Sequence, residues 1–589
     1  MCGICGTISS TGKEVEEEDL RSMLPALANR GPDNEDIRME GKYGFGHRRL
    51  KIIDLSEQGN QPMIDPELGL VITYNGMIYN YKELKKELEQ KGYRFRSNSD
   101  TEVMLKAYHC WGDLFVQKLY GMFAFCLHDQ KNDRFVLGRD RLGIKPLYYT
   151  EDNGHFYFAS NIQALNDAGV VDRTLSSEAL HYYLSFHAVV PAPHTIYKNV
   201  RKLEPGHILV LEPGGKKSFT QYWSVHYYQE EDMTEEEWID AVLLKLRESV
   251  KRRMVSDVPV GALLSGGLDS SLIVAMMAEL NPSQLRTYSI GFENVNGEDG
   301  NEFQYSDLIA KKYQTQHSKF FIDSDRLLPH VKRCLEAMSE PMVSHDAVGF
   351  YLLSKEVIKH TKVVLCGQGA DEIFAGYHWY PKIMEGSGDP VTLYRNSFFD
   401  REHPEILNTL TPEYLPSRDY STDFVRDHFS KPGADIPVDK TMRLDSTVML
   451  VDDPVKRVDN MTMDWGLEAR VPFLDHDVVE LAAKIPPSLK VSSGGKHILK
   501  KAAERILPRE VIYRKKGYFP VPALKYLQGE FLEFARDLLF SHRARQRNVF
   551  QQDTLKTLLE RPQDQMTVLG GNKVWQMAVL EYWLQKMEG

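Results

Sequence analysis

Apolar and polar positions divide the chain into two successive patterns. Over the first 220 residues, short β-rich runs alternate with turns, at 43–55, 70–74, 123–127, 134–138, 156–159 and 208–212. Helical periodicity interrupts these runs at 20–28, 81–91 and 100–108. Short strands separated by turns favour sheets rich in antiparallel pairs, with the helices packed outside them. This part of the chain is therefore predicted to be an α+β domain.

The second pattern begins with a long amphipathic helix predicted over 235–253. Strand candidates follow at 258–264, 286–290, 317–321 and 362–365, and helices are predicted between them at 272–280, 304–313 and 347–359. This alternation is typical of a doubly wound α/β domain, whose ligands bind at the carboxyl ends of the strands. The pattern changes between 222 and 234, so we predict domains over 1–223 and 235–589. The region from about 448 onward is predicted to be mainly helical, and 384–443 shows no assignable periodicity.

Residues 260–272, VGALLSGGLDSSL, indicate a phosphate-binding loop. An apolar run typical of a buried strand breaks at Ser265-Gly266-Gly267, and an apolar helical run follows Asp269-Ser270-Ser271. A strand, a glycine turn and a helix N-terminus together direct unpaired N–H groups and the positive end of the helix dipole at an anion. A carboxylate beside phosphate requires a cation between them, so Asp269 implies Mg²⁺. The loop lacks the lysine of the GxxxxGK[ST] pattern.

Charge and hydropathy limit the class of protein. The chain has 589 residues and a net charge of −11, which disfavours a protein that coats nucleic acid. No apolar run approaches the roughly 20 residues that a membrane span needs. The first residues lack the basic and apolar regions of a signal peptide. We expect a cytoplasmic protein with small-molecule partners, and a homodimer is compatible with the sequence.

Cys2 and Cys5 form a CxxC pair that could indicate zinc or redox chemistry. Zinc would need a second ligand pair, and the sequence offers none at suitable spacing. A redox pair normally opens a helix, whereas CGICGTIS is typical of a glycine-interrupted strand. Both interpretations are therefore disfavoured.

Cys2 is also a candidate nucleophile. Removal of the initiator Met would place a thiol and a free α-amine on one residue, and the amine could take the thiol proton. Arg49 offers a fork for a carboxylate, Asn75-Gly76 offers an amide and an N–H for an oxyanion, and Asp100 could hold an ammonium. Together they describe a glutamine amidase. Each also has an ordinary interpretation, as a surface arginine, a turn and a helix cap.

Several ordered motifs carry a family resemblance. They are Cys2-Gly3, NRGPD at 29–33, RRL at 48–50, NGxIYN at 75–80, Asp100-x-Glu102, GMFAF at 121–125, GRDRLGIKPLYY at 138–149, GQGADEIFAGY at 367–377, GLEARVPFLD at 466–475, GGKHILK at 494–500 and RKKGYFPVP at 514–522. The N-terminal set resembles N-terminal-nucleophile glutaminase domains, which have stacked antiparallel sheets between helices. The loop at 265–271 resembles the PP-loop of ATP pyrophosphatases. Together they resemble the glutamine-hydrolysing asparagine synthetase family along nearly the whole chain.

The resemblance implies a role for each matching residue. In the glutaminase site, Cys2 would attack glutamine, Asn75 and Gly76 would stabilise the oxyanion, and Arg49, Leu50 and Asp100 would bind glutamine. In the synthetase site, ATP would contact Leu263, Ser265, Gly266, Gly267, Asp269, Ser270, Ser271, Ile290 and Gly367. Asp269 and Asp371 would hold Mg²⁺, and Lys496 would neutralise charge in the adenylation transition state. Ammonia would pass between the sites inside the protein, and a carboxylate would become an amide through an acyl-adenylate, with AMP and pyrophosphate released.

Two departures from the family pattern concern the substrates. Met77 and Gln368 stand where asparagine synthetases usually carry glutamate. Met77 removes one carboxylate from the predicted ammonium site. Gln368, which we place in the catalytic set, can neither accept a proton from ammonia nor pair with the ammonium of aspartate.

The segments around Gln368 point to one acceptor. Residues 340–357, 367–381 and 452–476 are similar to N-acetylglutaminylglutamine amidotransferases, which amidate a capped dipeptide. We therefore expect that acceptor, and ATP and Mg²⁺ as cofactors. The alternative is an asparagine synthetase in which Gln368 is tolerated. A third interpretation is a PP-loop enzyme that modifies tRNA, which the negative net charge of the chain disfavours.

Overall fold

The computed structural model describes residues 2–228, 232–280, 285–293, 301–322, 327–514 and 527–589. Of the motif at 514–522, only Arg514 lies within the described residues. Among the helices of these ranges, none is long and apolar enough to cross a membrane.

The N-terminal part consists of antiparallel sheets with helices outside them. Its strands are β1 (Gly3–Ser9), β2 (Asn34–Glu40), β3 (Tyr43–Arg49), β4 (Met63–Asp65), β5 (Leu70–Ile78), β6 (Gly121–Asp129), β7 (Arg134–Arg139), β8 (Tyr148–Asp152), β9 (His155–Ala159), β10 (Arg201–Lys202), β11 (His207–Leu211) and β12 (Lys217–Gln221). Its helices are α1 (Glu17–Met23), α2 (Tyr81–Gln90), α3 (Asp100–Trp111), α4 (Ile162–Asp167) and α5 (Ser177–Ser185).

These strands form two sheets, in the orders β10-β8-β9-β1-β3-β2 and β12-β11-β7-β6-β5-β4. A buried apolar layer that includes Ile4, Phe45, Val71 and Phe158 packs between them. The α+β prediction with stacked antiparallel sheets is confirmed. Cys5 lies buried in β1, which runs as a strand, so the redox interpretation has no helix to rest on.

The C-terminal part contains one parallel sheet. Its strands are β13 (Val260–Leu263), β14 (Arg286–Phe292), β15 (Gln316–Ile322), β16 (Val363–Leu365) and β17 (Glu468–Arg470). The order β15-β14-β13-β16-β17 reverses direction between β13 and β16. In a doubly wound sheet this reversal opens the crevice in which ligands bind, outside the carboxyl ends of the two strands.

Helices surround that sheet and make up most of the rest of the described C-terminal residues. They are α6 (Glu235–Arg253), α7 (Leu268–Leu280), α8 (Phe303–Lys312), α9 (Leu327–Ala337), α10 (Asp346–Val357), α11 (Ala370–Ile373), α12 (Trp379–Glu385), α13 (Pro390–Phe398), α14 (His403–Thr409), α15 (Tyr420–Ser430), α16 (Pro437–Leu444), α17 (Lys456–Met463), α18 (His476–Lys484), α19 (Pro487–Val491), α20 (His497–Ala503), α21 (Arg509–Ile512), α22 (Glu530–Leu539), α23 (His542–Arg547), α24 (Gln552–Glu560) and α25 (Lys573–Glu588). The doubly wound prediction with a helical C-terminal part is confirmed.

The region beyond 448 is mainly helical, as predicted, but it also contains strand β17, which the sequence analysis did not assign. This strand is short and carries charge, so it lacks the apolar run by which strands are recognised. Arg470 donates to Glu468 at 2.6 Å, and both residues are fully buried. The region without assignable periodicity, 384–443, is helical in the structure.

Candidate active sites

Asn75 and Cys2 contact each other in the N-terminal part, where the sequence predicts the glutaminase site. Cys2 is buried and directly precedes β1, and its backbone N–H donates to Asn75 Oδ1 at 3.0 Å. Asn75 is fully buried in the middle of β5, and within the described chain its Nδ2 has no hydrogen-bond partner. A buried donor left without a partner costs free energy, so its retention indicates a ligand. The geometry suits an oxyanion that forms beside Cys2.

Gly76 follows Asn75 within the strand, so the pair does not form a turn. A Cβ at Gly76 would lie 2.2 Å from the carbonyl oxygen of Met122 on β6, which only glycine avoids. The ordinary interpretation of Asn75-Gly76 as a turn is therefore wrong. Met77 is buried on the same strand.

The Cys2 thiol is neutral at rest. Burial raises its pKa, and a hydrogen bond from the backbone of Leu50 and the charge of Arg49 oppose that effect only in part. A thiol in this state needs a base before it attacks. The hydrogen bond from Leu50 also shows that this residue contacts the Cys2 thiol through its backbone.

Arg49 is placed differently from the open fork that the sequence predicts. Its Nη1 donates to the carbonyl oxygen of Ser56 and to Asn60 Oδ1, both at 2.7 Å. Its Nη2 donates to the carbonyl oxygens of Ile53 and Asp54. The guanidinium thus holds the 53–60 loop beside Cys2, and its two Nη groups are not presented together to a ligand.

Asp100 lies buried at the start of α3. Its Oδ2 accepts from Tyr74 Oη at 2.9 Å and from the backbone N–H of Ile78 at 3.0 Å. Burial raises the pKa of this carboxyl. These two contacts place the carboxylate against β5, the strand that carries Asn75.

The PP-loop connects β13 to α7. The helix begins at Leu268, four residues earlier than predicted, so Asp269, Ser270 and Ser271 lie in its first turn. Gly266 has φ +77°, and a Cβ there would lie 2.7 Å from the backbone nitrogen of Ser306. The loop is thus a tight turn at the carboxyl end of β13, directly before the N-terminus of α7.

Two of the three serine hydroxyls of the loop contact each other. Ser265 Oγ and Ser270 Oγ are 3.0 Å apart, and the N–H of Gly267 donates to Ser265 Oγ at 3.3 Å. Gly367, just after β16, packs on this turn, because a Cβ there would lie 2.8 Å from the Ser270 nitrogen. The loops after β13 and β16 therefore meet at the reversal of strand order.

Lys496 lies between two carboxylates. Its Nζ is 2.7 Å from Asp269 Oδ2 and 2.9 Å from Asp371 Oδ1. Although burial acts in the opposite direction, these two charges raise the pKa of Lys496. Carboxylate oxygens that converge on one point are the donor set that Mg²⁺ prefers, so the residues fit that ion.

One cavity of about 950 Å³ joins these groups to a second set of side chains. Of the residues that the sequence analysis assigns to the synthetase site, those lining it are Leu263, Ile290, Ser265, Gly267, Asp269, Gln368, Asp371 and Lys496. Lining residues that the sequence analysis did not assign include His187, Glu372, Tyr377, Trp379, Phe398, Asp445, Met449, Arg457 and Val568 to Gly570. Glu372, Tyr377, Trp379 and Arg457 lie within segments that the resemblance had marked, whereas His187 carried no signal.

Two π-helical stretches shape the wall of this cavity. They run over Asp445–Met449 and Val451–Val455, between α16 and α17. Pro454 lies inside the second stretch and cannot donate a backbone hydrogen bond, which favours such a local distortion. Asp445 is buried there and accepts from Tyr380 and Tyr394, and the pKa of its carboxyl is raised by burial to about 6.

A buried ion cluster connects the two sites. Arg30 donates to the carbonyl oxygen of Cys2 at 3.3 Å and to both oxygens of Asp459 on α17, at 2.8 and 3.2 Å. Lys145 also donates to Asp459, at 2.8 Å. Although burial opposes it, the charges of Arg30 and Lys145 lower the pKa of Asp459 to about 2.

Comparison with known proteins agrees with this architecture. The family model for asparagine synthase matches residues 241–585, and that for a glutamine amidotransferase domain matches residues 1–223. Asparagine synthetase [glutamine-hydrolyzing] 1 of Bacillus subtilis (strain 168) is 35% identical over 580 residues, covering 92% of this chain and 90% of that protein. Asparagine synthetase [glutamine-hydrolyzing] 3 of the same organism is 32% identical over 603 residues, covering 97% and 94%.

A relative with a different name also spans most of the chain. Amidase chry2 of Gibberella zeae is 28% identical over 610 residues, covering 88% of this chain and 88% of that protein. The two matched family models and the relatives of nearly full length show that this chain belongs to the asparagine synthase family, as a glutamine-hydrolysing, ATP-using amidotransferase of asparagine synthetase type.

Proposed function

We propose that this enzyme amidates the C-terminal carboxylate of N-acetylglutaminylglutamine. Gln368 carries the proposal, because it lines the same cavity as Asp371 and Lys496. A neutral amide at this place can neither pair with an α-ammonium nor take a proton from ammonia. An acceptor with a blocked amino group does not need a carboxylate there.

The size and lining of the cavity support an extended acceptor. Its volume of about 950 Å³ lies near the top of the range for ligand pockets, about 300–1,000 Å³. Besides the phosphate loop it presents aromatic and aliphatic walls, including Trp379, Phe398 and Met449. Apolar walls suit the methylene groups and amide planes of a capped dipeptide better than the charged groups of aspartate.

In the proposed glutaminase domain, residues 1–223, the Cys2 thiolate attacks the glutamine amide. Asn75 Nδ2 and the N–H of Gly76 stabilise the tetrahedral oxyanion, Leu50 and Asp100 position the substrate, and Arg49 acts on it through the 53–60 loop that its guanidinium holds. The α-amine of Cys2 accepts the thiol proton once Met1 is removed. Its hydrogen bond to Asn75 Oδ1 supports that assignment, because it fixes the amine beside the thiol.

In the proposed synthetase domain, residues 235–589, an acceptor carboxylate oxygen attacks the α-phosphorus of ATP. Leu263 and Ile290 flank the adenine, and the loop from Ser265 to Ser271 binds the phosphates with Gly367. Lys496 neutralises charge on the pentavalent transition state. Asp269 and Asp371 would hold Mg²⁺, and the bound ion would supply neutralisation of the charge on the pyrophosphate. Ammonia then displaces AMP from the acyl-adenylate.

The direct test supplies glutamine, ATP and Mg²⁺ and compares N-acetylglutaminylglutamine with aspartate. Pyrophosphate and the amide product are followed together. We expect kcat/KM for the capped dipeptide to exceed that for aspartate by at least about 100-fold, because the neutral Gln368 leaves the α-ammonium of aspartate without a charged partner. Cys2→Ala should lose activity with glutamine and keep it with added ammonia. Stoichiometric conversion of aspartate to asparagine at comparable rates would make the enzyme an asparagine synthetase.

Gln368→Glu tests the residue that carries the proposal. A carboxylate at this place would repel the acceptor carboxylate and pair with an α-ammonium. We expect kcat/KM for the capped dipeptide to fall at least about tenfold, or 1.4 kcal/mol, and amidation of aspartate to rise. Assays with added ammonia exclude effects on glutamine hydrolysis. An unchanged ratio between the two acceptors would remove Gln368 from acceptor choice.

A further inference from the structure

His187 belongs to the N-terminal part but lines the cavity of the synthetase site. It has φ +51°, and the next residue, Ala188, has φ +67°. Left-handed backbone at a residue with a Cβ costs about 1–2 kcal/mol. Two such residues in succession persist where surrounding contacts impose the conformation, and they cluster at ligand sites. His187 therefore occupies a backbone position that glycine would adopt at less cost.

Asp400 fixes the orientation of this imidazole. His187 Nδ1 is 2.9 Å from Asp400 Oδ2, and the two side chains are 12% and 1% exposed. Asp400 follows α13, and its backbone N–H donates to the carbonyl oxygen of Ser185 at the end of α5. A carboxylate only accepts, so Nδ1 carries the proton of this hydrogen bond.

The second ring nitrogen of His187 is available to a ligand. Nε2 makes no hydrogen bond to any residue in the described part of the chain, and the ring borders the cavity. Although burial acts in the opposite direction, the charge of Asp400 raises the pKa of His187. Asp400 holds one proton on Nδ1, and the raised pKa favours the imidazolium form, in which Nε2 also carries a proton and is a donor.

An aromatic wall leads from the chemical end of the cavity to His187. Tyr377 Oη donates to Glu372 Oε1 at 2.7 Å, next to Asp371. The ring of Tyr377 stacks on that of Trp379 at 4.3 Å between centroids, and Trp379 contacts Phe398 at 5.8 Å. Phe398 precedes Asp400 by two residues. A ligand that reaches from Asp371 to His187 thus lies along flat apolar surfaces.

We propose that His187 is a specificity-determining residue that donates its Nε2–H to the acyl carbonyl oxygen at the blocked amino end of the acceptor. This inference rests on the proposed function and names the part of the acceptor that the far end of the site recognises. The amide planes between the two ends pack on the aromatic wall. A free α-amino end has no acyl carbonyl to accept this hydrogen bond, so the site selects the capped form over the uncapped one by the hydrogen bond that the uncapped form lacks.

The test replaces His187 by glycine, which suits the backbone conformation at this position. Ala188→Gly is the matched control, because it relieves the same kind of strain without removing a group that lines the cavity. Both variants and the wild type are assayed with ammonia, ATP and Mg²⁺ on N-acetylglutaminylglutamine and on uncapped glutaminylglutamine. Melting temperatures of all three proteins report folding.

We expect His187→Gly to raise KM for the capped dipeptide about 10- to 100-fold, as for loss of a hydrogen bond from a charged donor, with kcat within about threefold. It should also lose the preference for the capped over the uncapped acceptor, whereas Ala188→Gly should keep both properties. If the wild type amidates the capped dipeptide and His187→Gly keeps the same KM and the same preference, the role of His187 is overturned and the proposed function still stands. A wild type that amidates aspartate and leaves the capped dipeptide unchanged would overturn the proposed function and this role with it.

Discussion

The side-chain amide of Asn75 is hydrogen-bonded through its oxygen but not, within the described chain, through its nitrogen. Its oxygen accepts from the backbone N–H of Cys2, and its buried nitrogen has no partner within the described chain. Gly76 lets β6 pack closely on β5 next to it, because a Cβ there would lie 2.2 Å from the carbonyl oxygen of Met122. At the scale of single residues, the glutaminase site is thus an unsatisfied donor held next to a buried thiol.

Asn75→Ala tests the interpretation of Asn75 as an oxyanion donor. Removal of one oxyanion donor is expected to lower kcat for glutamine hydrolysis about 10²- to 10³-fold. Glutamate release measures this loss, and amide synthesis with added ammonia serves as the control, because Asn75 lies outside the synthetase cavity. If both activities fall together, the amide stabilises the fold and not the oxyanion.

The elements around the PP-loop bring distant residues to one point. Because the strand order reverses between β13 and β16, the turn at Ser265 and the turn at Gly367 face each other across the crevice. The start of α20 then supplies Lys496, at φ +55°, to the two carboxylates. Gly376 leaves the space that this convergence needs, since a Cβ there would lie 2.1 Å from Asp371 Oδ1 and 2.3 Å from Lys496 Cε.

Gly376→Ala should therefore disturb adenylation. The added methyl group must displace Asp371 or Lys496, and misplacement of about 1 Å in a catalytic group can cost about 100-fold in rate. We expect pyrophosphate release to fall by about that factor in the presence of acceptor and ammonia. Glutamine hydrolysis should stay near the wild-type rate, because Gly376 lies outside the glutaminase part. Normal pyrophosphate release would show that the site tolerates the methyl group.

The prediction of elements succeeded where the pattern was long and periodic. Helix α6 spans the predicted 235–253, because its capping box at Thr234 and Glu237 and its apolar stripe are both local signals. The start of α7 was placed too late, since Asp269 and the two serines resemble a loop by composition. Strand β17 was missed because Glu468 and Arg470 satisfy each other's charge only after folding.

At the scale of the whole molecule, buried ions join the two parts. Asp459 on α17 pairs with Arg30 and Lys145 from the N-terminal part, and Arg30 also reaches the backbone of Cys2. Removing one partner of a buried pair leaves uncompensated charge, which is more costly than the pair is favourable. This cluster therefore fixes how the glutaminase site sits against the synthetase helices.

Asp459→Asn should lower the free energy of unfolding at pH 7 by about 3–5 kcal/mol. The pKa of Asp459 is lowered in the folded state from 3.8 to about 2, so its contribution is present above the unfolded value and is lost as the pH falls toward 2. The lowered pKa is worth roughly 2 kcal/mol of stability. Calorimetric melting between pH 7 and about pH 2 measures both effects.

On acidification the wild type should lose the roughly 2 kcal/mol of unfolding free energy that the lowered pKa of Asp459 contributes. The Asp459→Asn variant should not show this loss. Asp133→Asn is a matched control, because Asp133 pairs with Lys42 at an exposed site, where an ion pair is worth about 0–1 kcal/mol. Equal losses in the two variants would show that burial does not strengthen the Asp459 pairing.

The amino-acid sequence by itself determined the two chemistries of this protein. Cys2 at the start of the chain and the loop at Ser265 to Ser271 are contiguous motifs, and the physics of a nucleophile or of an anion-binding turn is contained in a few neighbouring residues. Only the tertiary structure decided that Lys496 lies between Asp269 and Asp371, that Arg49 holds a loop with its fork, and that His187 from one part lines the cavity of the other. Those relations join residues that are far apart in sequence, and packing and buried charge fix them only once the chain has folded.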